Sequence, residues 1–141
     1  MEASKLSPEQ VAAQVGVLAP LFFRQAAGYV LSLLDPEGRV LSYNTTGEHL
    51  ECWPADRIIG APHDIFYPPD EITAERPRAD LDAALRSGTL EREAWRVCEN
   101  GSEYLAQLTI TALLEGKIHR GFACITRDVT DTAAVPASVK A

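Results

Sequence analysis

The side chains of this sequence best able to do chemistry are three histidines (His49, His63, His119), three cysteines (Cys52, Cys98, Cys124) and the carboxylate pairs Asp70-Glu71 and Asp80/Asp82. None falls into a spacing that fixes a reaction. The chain has no G-x-S-x-G, Walker A loop, HExxH or CxxC, the arrangements that set a nucleophile, a phosphate cradle or a metal on one element. The carboxylates read more simply as helix-start bias and a solvated helix face. A lone histidine beside apolar surface is more often hydrogen bonded than a ligand. His119, beside Lys117 and Arg120 near a turn, is expected to be exposed. The aromatic side chains Tyr43, Trp53, Phe66 and Tyr67 could line a cavity or simply fill a core.

Composition narrows the classes. A chain of 141 residues with 46% hydrophobic and 23% charged residues has the make-up of one globular domain with a core of its own. The net charge of −7 speaks against a nucleic-acid or anionic-membrane binder, whose surface needs a basic excess. The apolar run from Val15 to Phe23 is broken by Gly16 and Pro20 and is too short to span a bilayer. Three cysteines without paired spacing suggest neither a disulfide framework nor a zinc site. A reducing cytoplasm is the expected compartment.

These residues need elements to hold them. Ser7-Pro8-Glu9-Gln10 is a capping box with Pro at the first helical position, and Val11, Val15 and Leu18 then share one helical face. Pro20 is expected to end or kink that helix, leaving Leu21-Phe22-Phe23 as an apolar patch. Two short apolar runs around Asp35-Pro36-Glu37-Gly38 predict a β-hairpin. Short helical pieces follow from Asn44 to Tyr67, capped by Asn44 or Thr46 and again near Pro54, and then a helix over Arg78 to Arg86 closed by Gly88. From Trp95 to Thr130, turn signals at Asn100-Gly101-Ser102 and Glu115-Gly116-Lys117 divide three strands. Tyr104, Ala106, Leu108, Ile110 and Ala112 alternate there with polar neighbours. Strand groups separated by helices predict an α+β domain with an antiparallel sheet.

The segments DPEGRVLSYN, IIGAPHDIFYPPDEI, EAWRVCENGSEYLAQLTITAL and GFACITRDVTD occur in the order and spacing of a PAS sensory domain. Over residues 28–131 the chain resembles the bacterial sensory-box subgroup with "FYPPED", "WRVRKDGS" and "TRDLTE" type segments. The resemblance implies a five-stranded antiparallel sheet of order 2-1-5-4-3 with short helices cupped on one face. Residues 1–27 are then a helical cap or dimerisation segment, and residues 132–141 a flexible tail.

It implies further that the cup can hold a small ligand lined by Tyr43, His49, Trp53, His63, Phe66, Tyr67 and Trp95. Trp95 alternates with Val97 on its strand and is compatible with either face. Asp128, Val129 and Thr130 match the junction through which such domains pass a signal onward. The flavin photoreceptors of this family (LOV type) need a cysteine near the position that holds His63, and an imidazole cannot form the thiol adduct, which argues against flavin. Heme-binding relatives take a histidine from the long helix, which has none here, so heme would need His49 or His63. The cofactor is left unknown, no metal site is expected, and an apolar cup could be empty. Cys98 and Cys124, placed two strands apart, lie beyond disulfide reach and are read as reduced. With a heme- or other cofactor-binding sensor fragment of a histidine kinase or other effector protein as the alternative, the function expected is a non-catalytic sensory or interaction module. Its partners would be a second copy, through Val11, Val15, Leu18 and Phe22, and a signalling protein such as a histidine kinase or regulator.

Overall fold

The computed structural model describes residues 5–130; the expected tail 132–141 lies outside them. Helix α1 (Pro8–Gln25) opens on the capping box: the Gln10 amide donates to Ser7 Oγ (3.1 Å) and the Ser7 amide to Gln10 Oε1 (2.8 Å). Of the two outcomes expected at Pro20, an end or a kink, the first is overturned: the helix continues to Gln25. Pro20 withdraws the donor that would meet the Gly16 carbonyl, and Gly16 is exposed, so water can take that bond. No residue of α1 is buried.

Strands β1 (Val30–Leu34) and β2 (Val40–Tyr43) form the expected hairpin. Its turn is fastened by Asp35, whose carboxylate accepts from the Glu37 and Arg39 amides at 2.9 Å each. Helices α2 (Thr45–Leu50) and α3 (Ala55–Ile58), a 3-10 turn (His63–Phe66), α4 (Pro69–Thr73) and α5 (Arg76–Ser87) follow. Asn44, fully buried, caps α2 and also bonds the Leu31 amide and the Tyr29 carbonyl, so one side chain sets α2 against β1. Strands β3 (Thr89–Val97), β4 (Glu103–Glu115) and β5 (Ile118–Asp128) complete the meander.

The sheet order is β2-β1-β5-β4-β3, antiparallel throughout, as the family resemblance implies. β1 enters beside β5, with Ser32 opposite Cys124 and Leu34 opposite Phe122. The close approach relies on Gly121: a Cβ there would lie 2.3 Å from the Leu34 carbonyl oxygen. One face of the sheet carries Val30, Leu34, Leu108, Ile110 and Phe122, which pack against Ile58, Phe66, Tyr67, Leu81 and Ala84 from the helices to form the core.

Candidate ligand cup and interaction surface

The cup expected to be apolar has a polar heart. Glu51, at the end of α2, is 1% exposed and is bonded to the hydroxyls of Tyr43 and Tyr104. The Tyr43 hydroxyl also lies 3.0 Å from the Gly47 carbonyl. A phenol has one proton, so Tyr43 shares it between the Glu51 carboxyl and the Gly47 carbonyl. Burial holds the Glu51 carboxyl above the usual carboxylate range, against the opposing pull of Arg96 and the two hydroxyls. Burial first, then the Glu51 carboxyl, also pushes both tyrosines upward.

Arg96, on β3 opposite Tyr104, is 3% exposed and points into the same space. Its guanidinium carbon stands 5.0 Å from the ring centres of both Phe66 and Tyr67, a cation held against two aromatic rings. Nε and Nη1 have no hydrogen-bond partner. A buried guanidinium with idle donors is expensive unless something accepts from them.

A second network closes the cup on the side of α4, α5 and β3. Buried Asp80 accepts from Tyr67 Oη (2.7 Å), Arg92 Nη2 (2.8 Å) and Arg76 Nε (3.1 Å), and Arg92 also meets Glu71 at 3.0 Å. Burial works to raise the Asp80 pKa, but hydrogen bonds from Arg92 and Tyr67 hold it below the ordinary value. His63 is 3% exposed, packs edge-on against Tyr67 and donates from Nε2 to the Pro77 carbonyl (3.1 Å). Burial, reinforced by Arg96, lowers its pKa to about 4.

Of the residues expected to line the cup, Tyr43, Trp53, His63, Phe66 and Tyr67 are buried. Trp53 donates from its indole to the Val97 carbonyl (3.1 Å). Two expectations are corrected. Trp95 is 47% exposed on the outer face, because the pleat turns its neighbours Ala94 and Arg96 inward. His49 is exposed on α2. The reading of His119 also changes: it is half-buried, its ring edge-on to Phe122 at 4.6 Å. Glu51, Tyr104, Arg96 and Asp80 were missed as site residues. The sequence marks Tyr104 only as part of an inward alternation, and arginine at an inward position is what a sequence pattern tends to assign to solvent.

Asp128 and Thr130 are fastened rather than free: the Thr130 amide donates to Asp128 Oδ1 (2.9 Å), the Leu105 amide to Thr130 Oγ1 (3.0 Å), and the Val129 amide to the Leu105 carbonyl (3.0 Å). Val129 is buried. The end of β5 is thereby clamped to β4.

Outside the cup, Val11, Val15, Leu18 and Phe22 of α1 are 43%, 54%, 59% and 73% exposed. Where α1 meets the sheet, a groove of about 330 Å³ is lined by Phe22, Phe23, Ala26, Leu31, Leu33 and Ile125, among others. Leu41, Trp95 and Leu113 extend apolar surface across the outer face. Among the described residues no cluster of His, Cys, Asp and Glu could hold a metal ion, and no helix is long and apolar enough to cross a membrane.

An antiparallel sheet cupped by short helices around a buried charged cluster, with a helix projecting from its N-terminal side, defines an α+β cup domain. Comparison with known proteins agrees. A PAS fold family model matches residues 23–134, and the chain belongs to that family. Two-component system protein A of Emericella nidulans is 35% identical over 103 residues, 73% of this chain. The match spans about 15% of that relative's length. Among solved structures, the PAS domain of a Colwellia psychrerythraea protein aligns with TM-score 0.74 at 17% identity, covering 83% of this chain and 98% of that one. A domain of a sensory box sensor histidine kinase/response regulator from Geobacter sulfurreducens aligns with TM-score 0.70 at 19% identity, covering 86% and 100%. The PAS domain of a LuxR-family transcriptional regulator from Burkholderia thailandensis, in complex with ethanol, gives 0.65 at 14% identity over 78% and 96%. The chain is thus similar to sensor domains of signal-transduction proteins.

Proposed function

We propose that this chain is a non-catalytic sensory and interaction module of a signal-transduction system, that it pairs with a second copy through α1 and the adjoining outer face of the sheet, and that it passes a change in the sheet to a signalling partner through Asp128 to Thr130. The observation that carries the reading is the bare apolar surface of α1. A helix of 18 residues with none of them buried is marginal in water on propensity alone. A partner surface supplies the missing burial, and the groove beside Phe22 continues it onto the sheet. Three free thiols suit a reducing compartment, and the reading places the chain in the cytoplasm. Light scattering on the full chain and on a Val15→Glu/Leu18→Glu variant tests it. The expected result is a dimer mass that becomes a monomer mass in the variant with the sheet signal unchanged. A monomer in both would refute the α1 interface.

Arg96 favours a second reading, in which the cup senses a small ligand. Its idle Nε and Nη1 ask for an acceptor oxygen, such as a carboxylate or carbonyl. Native mass spectrometry of the protein as purified, and after addition of small carboxylates, should show a bound mass that disappears in Arg96→Met; no bound mass in either condition would end this reading. Heme is less well served, since His63 is already bonded to Pro77 and His49 is exposed.

A further inference from the structure

Cys52 and Cys98 come from segments far apart in sequence, yet two hydrogen bonds bracket them. On one side the Glu99 amide donates to the Glu51 carbonyl (2.9 Å), and on the other the Trp53 indole donates to the Val97 carbonyl (3.1 Å). Cys52 and Cys98 are the middle residues of the two short segments these contacts join. A disulfide needs the two Cα atoms within roughly 4.4 to 6.8 Å, a separation that two directly joined segments can reach. Their thiols also share surroundings: Cys52 Sγ lies 3.5 Å from the His49 carbonyl and Cys98 Sγ 3.8 Å from the next one, Leu50. Cys52 is exposed and Cys98 buried, both as free thiols. Cys52 holds a left-handed backbone (φ 58), a conformation that glycine or asparagine adopts at less steric cost.

We propose that Cys52 and Cys98 are a redox pair that closes reversibly to a disulfide, tying the turn after α2 to the end of β3. The oxidant is a hydroperoxide. The exposed Cys52 thiolate attacks the peroxide oxygen, the O–O bond breaks, and the alcohol or water leaves, giving a sulfenic acid and a reduced peroxide. The Cys98 sulfur, its proton lost to solvent, then attacks the Cys52 sulfur; the S–O bond breaks and the hydroxide leaves as water. Each thiol gives up one electron to the bond, and a dithiol reductant reverses the step. Burial raises the Cys98 thiol above its ordinary pKa, so Cys52 meets the peroxide first and Cys98 resolves. Because Glu51 and Arg96 lie beside the two cysteines in sequence, closure would fasten the two strands of chain that carry the charged heart of the cup. Cys124, on β5 across the sheet, takes no part.

The test treats the full chain with a small excess of hydrogen peroxide and follows free thiols, intact mass and unreduced peptide maps. Two of the three thiols should be lost with the mass of two hydrogens in the monomer, a Cys52–Cys98 linked peptide should appear, and dithiothreitol should restore all three. Cys124→Ser should behave the same with its remaining two thiols, while Cys52→Ser should form no internal link. Sulfinic acid at Cys52 with Cys98 still free, a link to Cys124, or only intermolecular disulfides would overturn the proposal.

Discussion

His63 should make the protein acid-labile in a way one substitution can isolate. Its ring is buried against Tyr67 and Gly38, with Arg96, Asp64 and Asp80 as the charged groups around it. Its pKa falls from 6.5 to about 4 on folding. The unfolded chain therefore binds the proton first. Stability is unaffected above about pH 6.5 and is lost as the pH falls towards 4, at about 1.4 kcal/mol per pH step within that window. Between about pH 7.5 and pH 5 the linkage amounts to about 2 kcal/mol. Glutamine can keep a donor towards Pro77 but cannot take up the proton. Urea unfolding of the wild type and His63→Gln, followed by tryptophan fluorescence at equal concentration, should give a stability difference that shifts by about 2 kcal/mol in favour of the variant between these pH values. The contributions of Glu51 and Asp80 are common to both proteins and cancel. A difference that does not change with pH would refute the burial of a neutral His63.

Other outcomes follow from the same coordinates. Gly121→Ala drives a Cβ to 2.3 Å from the Leu34 carbonyl and should destabilise by about 2 kcal/mol or more, with hydrogen exchange loosening first along the β1–β5 pairing. Arg92→Met leaves Asp80 with Tyr67 and Arg76 but without its closest cation. A loss of about 3 kcal/mol in denaturant unfolding is expected, and recovery in Arg92→Met/Asp80→Asn would identify the stranded charge as the cause. Asn44→Ala removes the α2 cap and the bond to Leu31; it should cost about 2 kcal/mol by the same assay.

Much of the architecture was legible because it is written in local terms. The capping box at Ser7, the hairpin turn at Asp35 to Gly38 and the two glycine turns of the meander are each set by a few neighbouring residues. The alternation in β4 from Tyr104 to Ile110 likewise marked its buried face. Pro20 left open whether the helix ends or bends; it does not end there, because the exposed face of α1 offers water to the orphaned carbonyl.

The site was far less legible. By itself the sequence determined most of the strands and helices, though not α4 or the start of β3 at Thr89, and through its ordered segments the family, because these depend on periodicity, turn chemistry and spacing along the chain. Only the tertiary structure decided that Trp95 faces outward while Arg96 turns in, since a strand read alone does not say which face meets the helices. It also brought together Glu51 with Tyr104, Asp80 with Arg92, and the residues flanking Cys52 with those flanking Cys98. Those pairs join residues far apart in the chain, and no spacing rule reaches across a cup that exists only once the sheet has closed beneath it.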